Sequence, residues 1–174
     1  MVGFDTTFLT LMFVPHSKHP IPDAKARVEF LLSDLNGRGD QILIPTPALS
    51  EILVKSGKAR NEIIQKLTKN PRFLIAPFDL RAALELAVMT DAVLSRSDKR
   101  EGSSATWAKV KFDRQIIAIA KVERVSCIYS EDADVRSIGK REGLSVLGVS
   151  DIVIPVGTQF RLTAPPSKVA ENEK

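Results

Sequence analysis

Five short apolar segments, near residues 2–5, 41–45, 73–77, 126–130 and 144–147, alternate with stretches long enough to form helices. Few folds accommodate that rhythm. Strands separated by helices pair in parallel, because a crossover helix returns the chain to the same end of the sheet. A mostly parallel sheet then needs helices on both faces. The expectation is an α/β chain of three layers, α/β/α, around about five strands.

The helical segments follow from spacing and punctuation. Thr6 and Thr7 open a short helix through Phe8–Phe13. Residues 23–35 place Ala24, Val28, Leu31 and Leu35 on one stripe, which Asn36-Gly37 is expected to stop. Thr46-Pro47 reads as an N-cap followed by a first helical proline. A further helix is expected over 58–69. Asp79 caps another that runs to about Leu94, with Leu80, Ala83, Leu84, Ala87, Val88 and Leu94 facing the core. Residues 96–111 interrupt the pattern, being polar, basic and punctuated by Gly102 and serines.

Phe112–Val135 organises the rest: a helical part carrying Ile116, Ile117 and Ala120, then a strand, then acids, with a short helix expected from Val135 to Arg141. Asp113 shares a face with Ile117 and Ala120, where a carboxylate is costly to desolvate unless something pairs with it. Asp132 follows the strand directly, where open parallel sheets place their ligands. Asp5 ends the first strand at the same edge, and Glu51 sits one turn into a helix that starts there. A capping box would put that acid at Leu49, so Glu51 is not explained as a cap. Pairing with Lys55 at i+4 is its alternative. Four carboxylates meeting at one edge would repel one another without a cation. Oxygen donors select a hard ion such as Mg²⁺ or Mn²⁺.

Other chemistries find little support. Cys127 is the single cysteine, so disulfides and thiolate metal sites are excluded. Gly37-Arg38-Gly39 follows a helix and is a turn, not a phosphate loop. His16 and His19 lie among three prolines and read as loop residues. No apolar run approaches the roughly 18 residues of a membrane span, and no secretory signal is evident, so a cytoplasmic location is expected. The net charge of +4 suits a polyanionic partner without demanding one. The 174 residues are expected to form one domain over 1–158, followed by a polar, disordered tail over 159–174.

Four segments, taken in order, resemble the PIN-domain ribonucleases and, within them, the VapC-like toxins of toxin–antitoxin pairs. They are Phe4-Asp5-Thr6-Thr7, Ile44 through Ile52, Asp113 with Ile116, Ala118 and Ala120, and Ser130-Glu131-Asp132-Ala133-Asp134. The resemblance spans roughly residues 1–150. It implies a PIN-like fold, Mg²⁺- or Mn²⁺-dependent endoribonuclease activity, a cognate antitoxin and a homodimer. By it, Asp5, Glu51, Asp113 and Asp132 correspond to the family's acidic quartet. Thr7 stands where Asn or Ser is frequent, and Val135 where Phe is commoner; neither change removes a ligand.

In such a site the acids would hold one or two divalent ions against the scissile phosphate, activating water and stabilising the leaving oxygen. Asp134 is either a further ligand or a helix cap. Ser130 and Thr6 support the acids. Arg96, Lys99, Arg100, Lys109, Lys111 and Arg114 are candidates for tracking an RNA backbone, with Trp107 either stacking on a base or packed inside. A non-toxin RNA-processing nuclease and a catalytically inactive RNA-binding module of the same fold are the alternatives. The second would be expected to have lost one of the four acids. An aspartyl-phosphate hydrolase would want a second Asp where Thr7 stands.

Overall fold

The computed structural model describes residues 1–14, 19–95, 100 and 103–155. His16, Arg96, Lys99 and the boundary at 158/159 lie outside them. The elements run β1 (Val2–Phe4), α1 (Thr6–Phe13), α2 (Ala24–Arg38), β2 (Ile42–Pro45), α3 (Thr46–Lys55), α4 (Arg60–Lys69), β3 (Phe73–Ala76), α5 (Leu80–Leu94), α6 (Trp107–Val122), β4 (Ile128–Tyr129), α7 (Ala133–Arg141) and β5 (Val146–Leu147). The five strands form one sheet in the order β3-β2-β1-β4-β5, and every pairing is parallel.

Alternation along the strands divides the core in two. Ile42, Ile44, Phe4 and Tyr129 point to one face and pack with Phe8, Leu9, Leu31 and Leu35 from α1 and α2. Leu43 and Ile128 point to the other, against Met89 of α5, Ile117 and Ala118 of α6, and Ile138 of α7. Strands buried on both faces explain why residues 42–44 are continuously apolar rather than alternating. Phe4, Phe8 and Tyr129 form an aromatic cluster with ring centroids 5.3–5.6 Å apart, directly beneath the strand ends. Gly139 lets α7 lie against β5: a Cβ there would meet Val146 Cγ2 at 2.5 Å.

Four expectations are corrected. Helix α2 continues through Asn36-Gly37 to Arg38 and stops at Gly39, whose φ of 76° suits the left-handed cap. Thr46 does not cap α3. Pro45 holds that position, and the Thr46 hydroxyl accepts the Phe78 N–H at 3.2 Å, joining the starts of α3 and α5. On α5 the stripe is reversed. Ala82, Met89 and Val93 are buried, while Leu80, Leu84, Val88 and Leu94 are more than half exposed. Helix α6 begins at Trp107, with Thr106 as its N-cap, well inside the segment expected to be irregular.

Candidate functional site

In a parallel sheet all strands end at the same edge, and residues just beyond β1 and β4 become neighbours there. Asp5 follows β1 and caps α1: its Oδ1 accepts the N–H groups of Thr7 at 2.8 Å and Phe8 at 3.3 Å. Its Oδ2 accepts the hydroxyl of Ser130, the residue after β4. The Ser130 oxygen in turn accepts the Asp132 N–H at 3.0 Å, so this fully buried serine ties the two strand ends together. Asp132 caps α7 through Oδ1, accepting from Asp134 and Val135, and leaves Oδ2 toward the cleft. The cap of this helix is therefore Asp132, not Asp134.

Asp113 comes from α6, one helical turn past Lys109. The Lys109 ammonium lies 2.7 Å from Asp113, 2.8 Å from Asp132 and 3.3 Å from Asp134. One cleft of about 200 Å³ is lined by Asp5, Thr6, Thr7, Glu51, Lys55, Lys109, Asp113 and Asp132. All four acids singled out from the sequence thus line a single cleft. No ion pair joins Glu51 to Lys55 among the described residues, so that pairing does not explain the glutamate.

The electrostatics follow from burial and company. Burial pushes the Asp5 carboxyl up to about 7 against the opposing bonds from Ser130, Phe8 and Thr7. Asp113 is raised to about 6, chiefly by burial, which outweighs its contact with Lys109. For Asp132 burial acts upward too, but Lys109 and the amides of Val135 and Asp134 overcome it and hold the group below its ordinary value. Desolvation acts downward on Lys109, but Asp113 and Asp132 together outweigh it and hold the ammonium above its ordinary range.

A stability trend follows for the metal-free protein. Asp5 and Asp113 bind protons more tightly folded than unfolded, so between about pH 4 and 7 the folded state carries the extra protons. Stability therefore falls as pH rises through that window, by an amount on the order of a few kcal/mol. Asp132 acts oppositely, but only as pH falls below its ordinary value. Melting in EDTA at pH 5 and pH 8 checks this: a higher melting temperature at pH 8 would contradict the burial of these two acids.

The oxygen-only donor set fits a hard divalent cation. Carboxylate oxygens of Asp113, Asp132 and Asp134 lie within 4.8 Å of one another. The Thr6 hydroxyl at the cleft wall is buried with no hydrogen-bond partner among the described residues. A cationic ammonium already bridges three of the acids.

The basic residues divide. Arg114 is 1% exposed, with its guanidinium 5.2 Å from the Trp107 ring, so it is not placed to meet a phosphate backbone. Trp107 is half-buried, and Lys111 approaches the same ring at 5.9 Å. Arg100 lines a separate pocket of about 130 Å³ with Ser103, Asp134, Ser137 and Arg141. Lys109 turns inward to the acids. Sequence reading missed that role because it depends on α6 starting at Trp107, which puts Lys109 and Asp113 on one face at i and i+4. His19 makes a local loop bond, its Nδ1 accepting the Ile21 N–H at 3.2 Å.

This sheet order, two-sided helical cover and acidic strand-end cleft define an α/β/α domain with its site at the carboxyl edge of the sheet. No protein-family model and no curated protein sequence matches the chain. Solved structures do match in fold. VapC20 of Mycobacterium tuberculosis, a toxin that cleaves the sarcin-ricin loop, superposes with a TM-score of 0.55 at 14% identity, over 80% of this chain and 95% of that one. VapBC2 of Rickettsia felis bound to promoter DNA gives 0.56 at 16%, over 85% and 98%. DNA-bound VapBC from Salmonella typhimurium gives 0.53 at 14%, over 85% and 97%. The protein has the VapC-like PIN-domain fold.

Proposed function

We propose that this protein is a Mg²⁺- or Mn²⁺-dependent endoribonuclease that hydrolyses RNA phosphodiester bonds, acting in the cytoplasm as the toxin of a toxin–antitoxin pair. The observation that carries this reading is the convergence of Asp5, Glu51, Asp113 and Asp132 on one cleft at the strand ends. Asp5, Asp113 and Asp132 would hold the cation, with Glu51 and Asp134 completing its surroundings. A bound cation would supply charge neutralisation at the phosphate and a water acidic enough to attack it.

The chain's own residues do the rest. Ser130 donates to Asp5 and accepts from the Asp132 amide, fixing two acids from different strands in register. The helix caps made by Asp5 and Asp132 commit one oxygen of each to the backbone, while the other takes the Ser130 hydroxyl in Asp5 and the Lys109 ammonium in Asp132. Glu51, from α3, lines the same cleft and would orient water. Lys111 and Arg100, both exposed, are described cations outside the acidic cleft that could meet the RNA backbone.

The purified protein should cut RNA with Mg²⁺ or Mn²⁺ and stop in EDTA. Undiminished cleavage in chelator removes the metal reading. No cleavage under any condition, with RNA still bound, points to the inactive binding module instead. The VapBC complexes of like fold support an antitoxin partner.

A homodimer also belongs to this proposal. Leu80, Leu84 and Val88 form an exposed apolar stripe on α5, 74%, 61% and 67% accessible, which a second copy would cover. Sedimentation at micromolar concentration should give a dimer that Leu84→Asp converts to monomer. A monomeric wild type removes the dimer.

A further inference from the structure

We propose that Lys109 is the resident counter-cation of the acidic cleft, and that a divalent ion must displace it to bind, so this lysine sets the cation concentration at which the site loads. The inference rests on the metal reading above and adds to it an internal competitor. Its ammonium contacts Asp113 and Asp132, two of the acids that would hold the cation, and Asp134, whose carboxylate oxygen lies within 4.8 Å of theirs. It therefore occupies the place a cation would take.

The two cannot share it. An ammonium offers donors only and brings no lone pair to an ion, and each carboxylate lone pair it engages is one the ion cannot use. Like charges a few ångströms apart also repel strongly in a partly desolvated cleft. Yet the side chain is able to leave. The lysine head is 43% exposed and ends a flexible four-carbon stem, while its backbone is held at the first turn of α6, where its N–H donates to Thr106. Metal entry then means exchanging three ion pairs for coordination bonds while the ammonium swings toward solvent on a fixed anchor.

Opposite effects on the two states follow from removing the charge. Lys109→Met keeps most of the stem's apolar contact but leaves the carboxylates uncompensated without metal. The variant should melt below the wild type in EDTA and bind Mn²⁺ more tightly, by about tenfold or more. Lys109→Arg keeps the charge and should bind Mn²⁺ much as the wild type does.

Isothermal titration of MnCl₂ into the three full-length proteins, at pH 8 and without RNA, tests this independently of catalysis. Circular dichroism checks that each variant is folded. Should Lys109→Met fail to fold, Lys109→Gln, which is neutral but keeps hydrogen-bond donors, carries the same expectation. Tighter binding by the neutral variant, with Lys109→Arg near wild type, supports the displacement. Equal or weaker binding by the neutral variant overturns it and leaves the metal site intact. No Mn²⁺ uptake by any of the proteins overturns the metal reading and this inference with it.

Discussion

Asp5→Asn should cleave RNA roughly a thousandfold more slowly than the wild type in saturating Mn²⁺, the rate equivalent of several kcal/mol of lost charge stabilisation. The substitution removes a charge and little else. An amide oxygen can still accept the Thr7 and Phe8 N–H groups that Asp5 Oδ1 accepts at 2.8 and 3.3 Å, so the cap on α1 survives. The introduced amide nitrogen can donate to Ser130, whose hydroxyl oxygen then accepts where its O–H had donated. Burial already holds the Asp5 carboxyl up at about 7, so a neutral group there suits the metal-free fold. The variant should melt at or above the wild type in EDTA. A large loss of rate with no loss of stability separates a role in catalysis from a role in folding. Wild-type cleavage by Asp5→Asn would exclude this carboxylate from the site.

Asp113→Asn should change sign between two conditions. Divalent cation binds only the folded protein, so at about a hundred times its dissociation constant it should add roughly 2.7 kcal/mol to wild-type stability. For a chain of this length that corresponds to a rise in melting temperature of about 5–10 °C. The variant lacks one ligand, so its rise should be less than half as large. In EDTA at pH 8 the order reverses. Asp113 is buried among Asp132 and Asp134, its carboxyl raised to about 6, and its charge therefore opposes folding at that pH. The substitution removes the charge while Asp132 and Asp134 still hold Lys109, so the variant should melt at or above the wild type. Equal metal-induced shifts in the two proteins would remove Asp113 from the cation's surroundings.

The sheet was legible because strands buried on both faces must be apolar throughout, as in Ile42-Leu43-Ile44, and must be spaced by helices. The four acids were legible for a related reason: a carboxylate on an apolar helix face is costly to bury, and carboxylates just beyond apolar strands fall at the edge where parallel sheets place their ligands, although Asp5 and Asp132 also cap α1 and α7. Helix α5 misled because it is apolar nearly all round. Leu80, Leu84 and Val88 make the larger stripe, yet the buried side is that of the small Ala82 with Met89 and Val93, the first two packing with Ile117 and Ala118 of α6. Periodicity gives the repeat of a stripe, not which of two stripes is buried. The start of α6 was hidden for the opposite reason, since Trp107 to Lys111 alternates charge with apolar residues and follows a run of serines. With that start misplaced, Lys109 read as a surface cation.

Anomalous diffraction from crystals grown in MnCl₂ tests the central claim most directly. The account predicts a manganese peak in the cleft about 2.1 Å from carboxylate oxygens of Asp113 and Asp132, with Asp5 alongside. Ordered Asp5, Asp113 and Asp132 side chains in saturating Mn²⁺, with no peak between them, would contradict it.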